Sequence, residues 1–141
     1  MFQLHPQLAT DTIRLGKFSL CQVLLMNDSQ YPWLILVPQR ADIEEIHQLS
    51  QQDRQQLGLE STSIATLLME HFQGDKFNVA ALGNVVSQLH IHHIVRFKND
   101  AAWPKPVWGA SPVIPYTNEL LTKQITELQM LLSKQLDFTA Y

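Results

Sequence analysis

A chain of 141 residues that is 45% hydrophobic and 16% charged has the size and composition of one globular domain, residues 1–141, sharing one core, and lies outside the disordered and fibrous classes. Its formal net charge of −3 gives no basic field for gripping DNA or RNA, so a nucleic-acid polymer is excluded as main partner, whereas a small phosphorylated ligand needs only a few local donors. The lone cysteine, Cys21, forbids an intrachain disulfide. The opening MFQLHPQLATD has no basic region or apolar run of a secretory leader, and no apolar stretch reaches membrane-spanning length. The expectation is a cytoplasmic protein without a membrane partner, with Cys21 as a small core residue.

In chain order, Thr12 to Phe18 alternates weakly between apolar and polar residues, and Phe18 to Met26 and Trp33 to Val37 are richer in apolar and β-branched types. All three read as strands, and the turn residues from Asn27 to Pro32 join the last two as an antiparallel hairpin. Asp42 followed by Glu45 is a capping-box pattern for a short helix carrying Ile43, Ile46 and Leu49. Ser50 followed by Asp53 starts a longer helix over Gln51 to Phe72, whose apolar stripe of Leu57, Ile64, Leu67, Leu68 and Phe72 is core packing. Gln73-Gly74-Asp75 stops it. Phe77 to Leu82 and Leu89 to Arg96 follow as strands linked through Gly83 to Ser87. A Pro- and Trp-rich loop runs to Gly109, and Leu120, Leu121, Ile125, Leu128, Leu131 and Leu132 mark a C-terminal amphipathic helix over about 117–136. The expected fold is α+β, an antiparallel sheet of about five strands with helices mainly on one face.

Three of the six histidines fall within Gln88-Leu89-His90-Ile91-His92-His93-Ile94-Val95-Arg96. Strand alternation puts Gln88, His90 and His92 on one face and Leu89, Ile91 and His93 on the other, packed face. Imidazole is a nucleophile near neutral pH, and a neighbouring ring can steady charge on a phosphate oxygen. Two His on a half-buried sheet can also be plain surface positions, Asn78 a strand-end hydrogen bonder, Arg96 a solvated strand end, and Trp33, Trp103 and Trp108 packing residues, with walling of a site or stacking on a base the lesser alternative for Trp103 and Trp108.

This strand resembles the motif of the histidine triad (HIT) family, His-apolar-His-apolar-His-apolar-apolar, with Gln88, His90 and His92 at its three positions and Arg96 four residues after the last. The resemblance extends from about Phe18 to Gly109 through Trp33-Leu34-Ile35-Leu36-Val37-Pro38-Gln39-Arg40 and Asn78. It implies a HIT-like fold, a homodimer, and a nucleotide hydrolase or nucleotidyl transferase that needs no cofactor. His90 would attack the α-phosphorus of a nucleoside phosphoester or phosphoramidate, His92 would bind phosphate oxygens, Gln88 would orient a neighbour, Asn78 would support the phosphate or leaving group, and Asn27 or Asp28 would hold the ribose. The departures are Gln88 in place of the first His, His93 at a usually apolar site, and Trp33 where many members carry His or a small residue. Two other readings stand beside this one. One is a nucleotide-binding module that has lost turnover through Gln88. The other is a metal enzyme using His90 and His92, for which His5, His47 and His71 show no spacing that nominates a third ligand.

Overall fold

The structure, a computed structural model, describes residues 1–135 and 137–141. Its elements in chain order are α1 (Pro6–Asp11), β1 (Thr12–Lys17), β2 (Cys21–Met26), β3 (Trp33–Pro38), a single 3-10 turn (Ile46–Gln48), α2 (Gln51–Phe72), β4 (Lys76–Ala80), β5 (Ile91–Arg96), α3 (Asn118–Leu132) and β6 (Thr139–Ala140). The strands form one antiparallel sheet in the order β4-β5-β3-β2-β1-β6. The expected five strands are present. The sixth, β6, is a two-residue edge whose exposed Thr-Ala pair has no periodicity to read.

β2 and β3 are buried on both sides, which is why their sequences run apolar without alternation. Leu34 and Leu36 of β3, with Val23 and Leu25 of β2, meet Leu57, Ile64 and Leu68 of α2 and Leu128, Leu131 and Leu132 of α3. The opposite-facing Trp33, Ile35 and Val37 join Leu4, Leu8, Tyr31, Val86, Ala102 and Val107 in a second cluster, covered by α1 and loops. The two long helices thus share one face, and the other is left for α1 and the loops that build the site.

Ser50 caps α2 by accepting the amide of Asp53 at 3.1 Å. The helix ends at Gln73 in a left-handed conformation, and the next residue is Gly74, where a Cβ would clash with Val95 Cγ1. The short helix is smaller and later than expected. Asp42 has φ 56° and caps nothing, while Glu45 and Gln48 form the box, and the chain reaches Ser50 before a second turn can form. α3 spans Asn118–Leu132, capped by Thr117, and the expected end at Leu136 lies outside the described residues. α1 was not anticipated; His5 caps it and Pro6 opens it. Cys21 is fully buried, and burial together with the carboxylate of Glu60 pushes its thiol pKa up. Glu60 itself accepts the amides of Leu20 and Cys21, at 2.8 and 3.0 Å.

Candidate active site

β5 is central enough to be buried along its whole length, and its alternation divides its polar residues between two environments. His93 points at α2. Its Nδ1 lies 3.0 Å from the carbonyl of Ile91 and so donates, leaving Nε2 to accept from the Ser61 hydroxyl at 2.7 Å. It is a satisfied, neutral core residue, with burial lowering its pKa to about 4 despite the opposing pull of the Ile91 carbonyl.

His90 and His92 line a cleft on the other face, with ring centroids 4.9 Å apart. His90 lies one residue before β5, where the chain arrives from the link after β4. Its Nδ1 is 2.7 Å from the main-chain carbonyl of Gln88, which can only accept, so Nδ1 carries a proton and the neutral form of the ring has its lone pair on Nε2. His92 is arranged the opposite way. Its Nδ1 accepts the indole N–H of Trp33 at 3.0 Å. Burial, then the neighbouring His90 and His93, lower its pKa to about 3, so the ring is neutral near pH 7 with its proton on Nε2. The two adjacent rings are therefore fixed as complements, one with a free lone pair and one with a free N–H.

The cleft holds about 400 Å³, within the range of small-molecule sites, roughly 300–1,000 Å³. Ile35 lies beneath, Gln7, Leu8 and Asp11 of α1 and Met26 of β2 form one side, and Asn84, Val85 and Val86 another. Gly83, at φ 73°, supplies the left-handed turn ahead of that second side. Trp108 contributes an edge, 5.0 Å from His92 and 5.7 Å from Trp33 between centroids. No Lys or Arg appears among the described residues lining the cleft, whose one carboxylate is Asp11, so an anion there would be held by neutral donors rather than by a cationic side chain. A larger concavity of about 640 Å³ on α3, lined by residues such as Thr122, Lys123 and Met130, is a shallow groove without convergent polar groups.

Of the residues singled out in the sequence, the structure brings His90 and His92 into the cleft but not Gln88, Asn78, Asn27 or Asp28. Gln88 lies in the link, outside strand alternation, and its side chain binds the main chain of Gln3 and His5. Asn78 accepts from Arg96 Nη1 at 2.8 Å. Asn27 Oδ1 accepts the amide of Tyr116 at 3.0 Å, and the buried Asp28 accepts from both the amide and the side chain of Gln30. Arg96 is not a solvated strand end. It is 2% exposed, paired through two nitrogens with Asp100, bonded to the Lys105 carbonyl, and stacked against Tyr31 and Trp103.

Three contributors escaped the sequence reading. Trp33 is core, as expected, but also fixes a tautomer. Trp108, for which loop packing is the preferred expectation and a wall of the site the lesser one, is 38% exposed and walls the cleft. Asn84 stands beside Gly83, and that Gly-Asn pair just ahead of the histidines was the available signal.

Comparison with known proteins places the chain in a family. The HIT domain matches residues 7–99, a span that contains both histidines, Trp33 and most of the cleft. A histidine triad protein from Marinobacter aquaeolei VT8 shares 54% identity over 95% of this chain and 98% of its own, with a TM-score of 0.92. Histidine triad proteins from Bradyrhizobium japonicum and Sinorhizobium meliloti 1021 each share 42% identity, over 92% and 94% of this chain and 96% and 98% of theirs, with TM-scores of 0.89 and 0.90. No curated protein matches. Because the matched span carries the paired rings and the same fold recurs over nearly the full length of these relatives, the chain belongs to the HIT domain family of histidine triad proteins.

Proposed function

We propose that the protein is a nucleotide hydrolase or nucleotidyl transferase acting at the α-phosphorus of a nucleoside phosphoester or phosphoramidate. Family membership supports nucleotide binding and hydrolase or transferase chemistry in general terms. The observation that carries the finer reading is the opposed protonation of the two cleft histidines.

The lone pair on His90 Nε2 attacks phosphorus, forming an N–P bond as the bond to the leaving oxygen or nitrogen breaks; the leaving group departs with the bonding pair and takes a proton from solvent. The Gln88 carbonyl, bound to Nδ1–H, steadies the positive charge the ring acquires. His92 Nε2–H hydrogen-bonds the non-bridging oxygens as their charge grows. Water then attacks phosphorus, the N–P bond returns its electrons to Nε2, and the nucleoside monophosphate is released. Transfer differs only in the acceptor. For Asn27 or Asp28 to reach a ribose, bonds to Tyr116 or Gln30 must open. The metal-enzyme alternative lacks a third ligand: no group of three or more His, Cys, Asp or Glu side chains able to hold a metal occurs among the described residues.

The proposal includes a homodimer joined through β4, an edge strand with Val79 55% exposed and Leu82 and Val85 exposed just beyond it. Light scattering at micromolar concentration should report twice the chain mass, and a monomer would refute this part. For the activity, turnover of nucleoside 5′-phosphoramidates and binding of nucleoside monophosphates should both be measurable. His92→Ala should weaken both. Failure of every monophosphate to bind at millimolar concentration would refute the reading.

A further inference from the structure

Gln88 lies in the link between β4 and β5, yet its carboxamide serves the other end of the chain. Nε2 donates to the carbonyl of Gln3 at 2.8 Å, and Oε1 accepts the amide of His5 at 2.9 Å. One side chain so satisfies an acceptor and a donor two residues apart, as a neighbouring strand would. The pinned segment leads directly into α1, where His5 Nδ1 accepts the amide of Gln7 at 3.1 Å. α1 is six residues long, too short to persist by itself, and it supplies Gln7, Leu8 and Asp11 to the cleft. The C-terminal end of α1 is held separately, by the amide of Asn27 donating to the carbonyl of Asp11 at 3.1 Å and by continuity into β1, so the contacts left to its N-terminal end are the burial of Leu4 and Leu8 on the sheet.

We infer that Gln88 is a positioning residue for ligand binding, its side chain holding residues 3–5 so that α1 stands as a wall of the nucleotide cleft. The inference rests on the proposed nucleotide reading of that cleft. A carboxamide suits the task because it presents a donor and an acceptor side by side; Glu keeps the shape but has no donor for the Gln3 carbonyl, and Ala has neither group. The main-chain carbonyl of Gln88, which orients His90, survives either substitution. The side chain therefore governs how well the cleft is formed, and the main chain governs the nucleophile.

The test uses Gln88→Ala and Gln88→Glu in the full chain, with AMP, GMP, CMP and UMP as binding probes, a nucleoside phosphoramidate as substrate, and hydrogen exchange read over residues 4–12. Exchange should quicken in that segment alone. With α1 docked for a smaller fraction of the time, Kd and KM should rise roughly tenfold while kcat stays within about twofold. The inference is overturned if exchange over 4–12 is unchanged, if exchange quickens and Kd does not move, or if kcat falls while KM holds. A wild-type protein that binds none of the four probes refutes instead the nucleotide reading of the cleft, and the inference falls with it.

Discussion

Replacing Trp33 by Phe isolates the tautomer control of His92. The indole N–H donates to His92 Nδ1 at 3.0 Å between two side chains that are 4% and 6% exposed, so no solvent replaces it once the donor is gone. Leaving that buried acceptor unpaired costs about 1–3 kcal/mol of stability. The chemical effect is separate. With Nδ1 no longer obliged to accept, the neutral ring divides between its two proton positions, and only the Nε2–H form presents a donor to the phosphate. Complete loss of one such donor costs roughly 10²–10³ in kcat; partial loss places Trp33→Phe about tenfold below wild type. Turnover and urea unfolding of wild type, each single variant and the Trp33→Phe/His92→Ala pair form a double-mutant cycle. Once His92 is Ala, Trp33→Phe should cost no further turnover. An equal fall in kcat with or without His92 would refute the reasoning, as would ring ¹⁵N shifts placing the wild-type His92 proton on Nδ1.

His92 and His93, held near 3 and 4 by burial, bind fewer protons folded than unfolded, where both titrate near 6.5. Their stabilisation is thus complete above that pH and is lost as pH falls toward 4, with a slope of up to about 2.7 kcal/mol per pH unit for the two together; urea midpoints that stay flat from pH 7 to 5 would contradict this. Asp100 adds a lower window. Burial alone would raise its pKa, but the Arg96 bonds and the amides of Phe97 and Trp103 hold it at about 2, so its contribution is present above 3.8 and disappears as pH falls through 2. Asp100→Ala strands a buried guanidinium and should cost about 3–5 kcal/mol in urea unfolding. His93→Ile unpairs the Ser61 hydroxyl and should cost about 1–3 kcal/mol, partly recovered by adding Ser61→Ala, while kcat stays within about twofold of wild type.

Where periodicity extended over many residues, the sequence was legible. The bounds of α2 follow from Ser50, Asp53 and the stripe Leu57, Ile64 and Leu68, and the separation of His92 from His93 follows from strand alternation alone. Alternation failed at Gln88, because strand pairing begins only at Ile91 and the preceding link turns the side chain toward residues 3–5. The six residues of α1 offered too short a pattern, although Pro6 and His5 are the start signals it uses. The surroundings of Arg96 were illegible for another reason. Of its partners, Asn78 comes from the paired strand β4, while Asp100 and Lys105 reach it only when the 97–109 loop folds back over β5, and no local pattern encodes that return. The same holds for Trp108, which reaches His92 by tertiary packing from a loop with no period of its own.

The central claim is that His90 Nε2 attacks phosphorus. Intact-mass spectrometry of protein quenched in alkaline denaturant, which spares the acid-labile N–P bond, during turnover of a nucleoside phosphoramidate tests it most directly, followed by peptide mapping of the adduct at alkaline pH. The account predicts an added mass of one nucleoside monophosphate less water, located on His90, and absent from His90→Ala, which should still bind monophosphates within a few-fold of wild type. An adduct on His92 or His93, or full turnover by His90→Ala, would contradict it.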